Sequence, residues 1–206
     1  MSKHEYKYAI EPDPYCYAGS NVLINKLGII EATILEAAER EYTMRRMFVL
    51  IQKPITGRFG FAHLKNIHKF IFDDIFSWAG VPRKQGFISK AGTIFCRGEY
   101  IEQEANRIFN SLAVEKKLKG LTFDQFVSRL VYYSSEINAL HPFRDGNGRA
   151  AREFIRQLAA YNGYSMAWQR VPKEALLEAD VMAFAKNYTP LIDAYGCMLT
   201  PVRIGS

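Results

Sequence analysis

The run His141-Pro142-Phe143-Arg144-Asp145-Gly146-Asn147-Gly148-Arg149-Ala150-Ala151-Arg152 holds one titratable base, one carboxylate, two glycines around an asparagine, and a pair of arginines ending the run. Each type has a use in phosphate chemistry. An imidazole titrates near neutrality and can accept a proton from an attacking hydroxyl. Asp145 suits Mg²⁺, which takes one or two carboxylates together with substrate phosphates. Gly146 and Gly148 let backbone approach a ligand closely. Arg149 and Arg152 carry guanidinium groups that pair bidentately with phosphate oxygens. A base, a metal ligand, a phosphate cradle and phosphate clamps are the parts needed to move a piece of a nucleotide.

Two helices must position these groups. Residues 121 to 140 read as an amphipathic helix, with Phe123, Phe126, Val127, Leu130, Ile137 and Leu140 at spacings of three, four and seven. Thr122 and Gln125 have capping-box spacing at its start. Pro142 disfavours the right-handed helical region for the residue before it, so His141 should sit at the helix's C-terminal edge. A second helix should begin near Asn147, a preferred N-cap type, and stop at Asn162-Gly163. A helix N-terminus offers unpaired N–H groups and the positive end of a dipole to an anion. Arg149 and Arg152 are three residues apart, so they should share a face of the first turn.

This run resembles the signature of the Fic family, His-x-Phe-x-(Asp/Glu)-Gly-Asn-Gly-Arg-x-x-Arg, at every defined position. The resemblance extends to Trp78-Ala79-Gly80-Val81-Pro82-Arg83, and to residues 88 to 95, which are similar to that family's β-hairpin flap. It also takes in Tyr17-Ala18-Gly19-Ser20-Asn21-Val22-Leu23 and Asn25-Lys26-Leu27-Gly28-Ile29. It implies an all-α fold, a helical bundle with a small hairpin flap. It also implies one domain over 1–206, with its core at about 12–190 and a short C-terminal extension. The implied activity is transfer of AMP from Mg-ATP to a Ser, Thr or Tyr hydroxyl of a target protein, self-modification included. His141 would be the catalytic base and Asp145 the Mg²⁺ ligand. Gly146, Asn147, Gly148, Arg149 and Arg152 would bind the nucleotide. Ile88, Gly92, Thr93, Ile94 and Phe95 would bind the target as an added strand. Doc-type kinases carry lysine in place of the second glycine, so Gly148 favours nucleotidyl over phosphoryl transfer. Another donor, such as a different nucleotide or phosphocholine, and a silent toxin bound to a separate antitoxin are the alternatives.

Bulk properties agree with one compact domain of 206 residues. Met1-Ser2-Lys3-His4-Glu5 opens no apolar leader, and no apolar run is long enough to span a bilayer. Cys16, Cys96 and Cys197 are odd in number and widely spaced, which points to a reducing, cytoplasmic setting; secretion into a host cell stays open. The net charge of +6 is scattered, as at Lys65, Lys69 and Lys116 to Lys119, so direct nucleic-acid binding is not expected. The implied partners are the target protein and a small antitoxin, with a second copy of the chain as a further option.

Further helices are expected over 31–52, 61–76 and 100–115, with Pro172 in the first turn of a later one and Thr189-Pro190 starting the last. His63 and His68 read as surface or structural residues. Phe143 should plug the core and hold the loop, while Arg144 and Glu153 receive no chemistry. Many relatives carry an inhibitory (Ser/Thr)-x-x-x-Glu-(Gly/Asn) helix. Ser111 to Glu115 has its spacing, but Lys116 follows. A clean internal inhibitor is therefore not expected; the competing reading is that Glu36 or Glu39 of the long N-terminal helix reaches Arg152 despite the wrong spacing.

Overall fold

The computed structural model describes residues 6–8, 12–90 and 93–202, the first three by backbone alone. The helices are α1 (Ala32–Gln52), α2 (Phe61–Phe72), α3 (Ile101–Val114), α4 (Phe123–Leu140), α5 (Asn147–Tyr161), α6 (Lys173–Phe184) and α7 (Thr189–Met198). Strands β1 (Tyr6–Tyr8), β2 (Ile88–Lys90) and β3 (Thr93–Ile94) form one antiparallel sheet in that order. β4 (Tyr164–Met166) and β5 (Leu199–Pro201) form a second. The architecture is helical with small antiparallel strand pairs, as the motif and its flanks implied.

α5 is the hub. It packs on α2, α4 and β4, and its Ala150, Phe154, Ile155, Leu158 and Ala159 are fully shielded from solvent. Each large apolar side chain so buried contributes about 1.5–3 kcal/mol. α4 starts as its sequence dictates: Gln125 N–H donates to Thr122 Oγ1 at 3.5 Å, and Thr122 N–H to Gln125 Oε1 at 3.1 Å. Leu130, Val131 and Tyr133 of α4 are wholly buried.

Some boundaries differ from the sequence reading. α2 stops at Phe72, four residues short of the expected end, although Ile75 and Phe76 remain buried as the chain turns into the Trp78 segment. The apolar spacing persisted there because those residues still face the core, not because the helix continues. Pro172 caps α6 from outside the first turn. β1, β4 and β5 were not anticipated, since three-residue strands leave too short a pattern to read. Ile88, Thr93, Ile94 and Phe95 lie in or beside the expected hairpin, whereas Gly92 lies outside the described residues.

Candidate active site

His141 ends α4 with φ 43° and ψ 56°, a left-handed conformation unusual for a residue with a side chain. Pro142 bars the right-handed alternative. Arg83 then locks the turn. Its guanidinium is 1% exposed. Nε and Nη2 donate to the His141 carbonyl at 3.2 and 3.0 Å, Nη1 to the Gly86 carbonyl at 3.0 Å, and Nη2 also to the Cys96 carbonyl. Arg83 N–H donates to the Pro142 carbonyl at 2.9 Å. One side chain thus ties His141 to both roots of the β2–β3 hairpin.

The His141 ring is half-buried and stacks on Phe95 at 3.8 Å between centroids. Its Nδ1 lies 3.3 Å from the Asn138 carbonyl. A carbonyl only accepts, so Nδ1 carries the proton and Nε2 keeps its lone pair. Burial pushes the imidazole down to about 3, with Arg83 and Lys90 adding to the shift against the Asn138 bond. The folded value lies below that of a free histidine. The neutral ring therefore stabilises the fold fully above about pH 6.5, and this contribution is lost as pH falls toward the folded value. In an NMR titration of the free chain, the His141 ring signals are expected to stay still from pH 8 to pH 5. A midpoint near 6.5 would contradict a buried, ready-neutral base.

The loop after His141 is braced from beneath. Phe143 is 0% exposed and stacks on His68 at 3.8 Å, the core plug expected of it. His68 is also fully buried, on α2, so the surface alternative for it is corrected. Its Nδ1 accepts from Gly80 N–H at 2.9 Å. Its Nε2 therefore carries the proton and donates to the Asp145 carbonyl, 2.9 Å away. His68 joins the Trp78-Ala79-Gly80 turn to the anion loop. His63 is likewise buried and pairs with Gln157 at 3.0 Å.

Asn147 is not the N-cap. Gly146 takes that position at φ 77°, and a Cβ there would lie 2.3 Å from Phe72 Cζ. Only glycine meets both demands. The Asn147 amide instead staples the loop: its Oδ1 accepts from Phe143 N–H and its Nδ2 donates to the Phe143 carbonyl, both at 2.8 Å. Gly146 N–H donates to Asp145 Oδ1 at 2.5 Å. The N–H groups of Asn147, Gly148 and Arg149 have no protein acceptor among the described residues, and they form an open nest at the start of α5.

The two arginines diverge, contrary to the shared face expected from their spacing. Arg149 turns to α1, where Nη2 pairs with Glu39, Nη1 reaches Thr43 Oγ1 at 3.3 Å, and the guanidinium lies 4.5 Å over Phe72. Arg152 is exposed, with no hydrogen bond or ion pair within 4 Å among the described residues. Its charge is felt by Asp180 of α6, whose carboxyl burial raises to about 6 against the pull of Arg152. Gly148 is exposed beside it: an added Cβ would come no closer than 3.7 Å to the Arg152 guanidinium. The free N–H groups, Arg152 and the bare face of Gly148 leave one open anion site within a few residues of the base.

Sequence reasoning passed over Arg83, His68 and Asp180 as site-building residues, and it offered Glu39 only as a rival partner of Arg152, whereas Glu39 pairs with Arg149. Arg83 had a signal, since it ends the Trp-Ala-Gly segment already noted. The other three lie on distant helices without a motif. Arg144 and Glu153 are structural: Arg144 donates to Asp13 at 2.6 and 3.0 Å, and buried Glu153 pairs with Arg156 at 2.7 Å. Glu115, the nearest match to an inhibitory glutamate, is engaged by Arg129 and by Tyr133 at 2.8 Å.

Comparison with known proteins is consistent with this geometry. Residues 58–159 match the model of the Fic/DOC family. The chain is 41% identical over 174 residues to the "Probable protein adenylyltransferase Fic" of Salmonella typhimurium, covering 84% of this chain and 86% of that protein. It is 40% identical over 181 residues to the protein adenylyltransferase VbhT of Bartonella schoenbuchensis, covering 88% of this chain but only 38% of that longer protein. The N-terminal Fic domain of a VirB-translocated Bep effector of Bartonella quintana, solved with bound ADP, superposes with a TM-score of 0.84 at 29% identity, over 92% of this chain and 95% of that one. Identity above 40% over most of both chains, together with the family match across the helix-end histidine and the glycine-capped loop, shows that the chain belongs to the Fic/DOC family.

Proposed function

We propose that this chain is a protein adenylyltransferase that transfers AMP from ATP to a Ser, Thr or Tyr hydroxyl of a target protein. The observation that carries the reading is the pairing of an unprotonated His141 Nε2 with the open anion site of α5. The N–H groups of Asn147, Gly148 and Arg149 face the charge that develops on the α-phosphate. Arg152 holds the far end of the triphosphate. The target hydroxyl gives its proton to His141 Nε2 as its oxygen bonds the α-phosphorus, and the bond to the β-phosphate oxygen breaks, so pyrophosphate leaves. Arg149 acts through the scaffold, docking the start of α5 on α1.

Asp145 fits a cation that arrives with its substrate. One carboxylate oxygen accepts from Gly146 N–H and the other is uncommitted. Among the described residues no cluster of three or more His, Cys, Asp or Glu side chains could hold a metal by itself. A bound Mg²⁺ would offset charge on the phosphates. No described helix is long and apolar enough to cross a membrane.

Control by an internal glutamate is absent from this reading. Glu39 pairs with Arg149 and Glu36 lies 3.8 Å from Arg40, so neither carboxylate occupies Arg152. Inhibition is assigned to a separate small antitoxin, and the isolated chain is active and modifies itself. The test is intact-mass spectrometry after incubation with each Mg-nucleoside triphosphate, for the natural chain and for Glu36→Gly and Glu39→Gly. An adduct of one AMP less water on the natural chain, without an order-of-magnitude gain in either variant, is expected. A phosphate adduct, or silence relieved by either substitution, would refute it.

A further inference from the structure

α1 is apolar on two sides and packed on one. Its buried residues are Leu35, Thr43 and Leu50. It rests on α2, and its Glu39 and Thr43 reach Arg149 of α5. Ile34, Met44, Phe48 and Ile51 are nevertheless 51–62% exposed. With Ala37 and Glu41 they stand three and four residues apart in turn, the a and d spacing of a heptad repeat. On a helical wheel this stripe lies on the far side of α1 from Glu39, Thr43 and Leu50. A helix that is apolar all round is normally covered all round. Among the described residues, nothing covers this side.

The charges within the stripe select what does. Glu41 is its one charged member, and its carboxylate bonds Arg45 at 2.6 Å, both side chains being exposed. Consider a second α1 laid antiparallel across the stripe, with a two-fold axis between residues 42 and 43. Ile34 of one copy then meets Ile51 of the other, Ala37 meets Phe48, and Glu41 meets Met44. A small side chain faces the largest one, so the pair can close without a void or a clash. Glu41 of each copy also stands within about one residue's rise, roughly 1.5 Å along the axis, of Arg45 of the other. Two glutamates and two arginines alternate around the centre. A parallel pair would instead put Glu41 on Glu41 and bring Arg40 beside Arg45, like charge on like at both places. The stripe therefore complements itself reversed, which is the demand of an isologous two-fold interface.

We propose that the chain forms a two-fold dimer in solution through the outer face of α1, antiparallel, with Glu41 and Arg45 crossing between the copies. The face used is opposite to the one that holds Arg149, so α1 serves the site on one side and a second copy of the chain on the other.

Sedimentation of the full chain from about 1 to 100 μM is the test, since a dimer's population rises with concentration. The natural chain is expected to approach twice its 23.6 kDa. Phe48→Glu should weaken the dimer about a hundredfold or more, because each interface carries the change twice. Glu41→Arg gathers four arginines at the centre and Arg45→Glu four glutamates, so each variant alone should dimerise about tenfold or more weakly. An equimolar mixture of these two variants restores every crossing pair and should recover a dimer that contains one of each. That recovery also shows both variants to be folded, and the doubly exchanged chain should dimerise like the natural one. A natural chain that stays monomeric over this range would overturn the proposal. So would a dimer indifferent to Phe48→Glu and to both charge variants, or a mixture no more associated than its parts.

Discussion

His141→Ala is expected to lower AMP transfer about 10²- to 10⁴-fold while ATP affinity stays within about twofold. In the proposed reaction the ring would contact the attacking hydroxyl, whereas the triphosphate would rest on the α5 nest and Arg152. The variant keeps the features that shape the loop: Arg83 binds the backbone carbonyl of residue 141, not its side chain, and Phe143, His68 and Asn147 are untouched. Transfer measured with labelled ATP, alongside calorimetric ATP binding, separates the two effects. Near-normal transfer would remove His141 from the role of base. Loss of binding in parallel with transfer would mean that the ring holds the nucleotide.

The second large effect is expected from Arg152→Ala. Arg152 is a guanidinium without an ion pair within 4 Å among the described residues, and it lies 3.7 Å from where a Cβ on Gly148 would stand, beside the free N–H groups. A hydrogen bond to a charged group contributes about 1.5–3 kcal/mol, so productive ATP binding should weaken roughly ten- to a hundredfold. ADP should be a poor donor for the natural chain, because it lacks the terminal phosphate that Arg152 is proposed to hold. The variant should then discriminate less between ATP and ADP. Unchanged ATP affinity together with an unchanged rate would show that Arg152 is not the clamp. Loss of the Arg152 charge should also push the Asp180 carboxyl further up, since burial then acts on it without that opposing pull.

The candidate site was legible because it is local. Twelve consecutive residues carry the base, the anion loop and the free arginine, and their order along the chain is nearly their order in space. The same locality explains the capping box at Thr122 and the helix end at His141. Both are written in residues within four positions of where they act. The flap was legible only through its resemblance to known hairpins, because strands of two and three residues carry almost no periodicity.

The sequence by itself determined which candidate groups gather in one run and on which helix ends they sit. Backbone propensity and short-range hydrogen bonds decide that, and both are encoded nearby in the chain. Tertiary structure decided how those groups are used. Spacing alone put Arg149 and Arg152 on one face, yet Glu39 and Thr43, more than a hundred residues away, draw Arg149 onto α1 and leave Arg152 alone at the site. Asn147 has the right type for a cap, but the left-handed turn at Gly146, pressed against Phe72, moves the cap back one residue and turns the amide to Phe143. Arg83 and His68 gained their roles only when α2 and the Trp78 segment packed under the loop. A buried charged or polar side chain must find partners, and which partners it finds depends on packing between segments far apart in sequence, which no window of the chain contains.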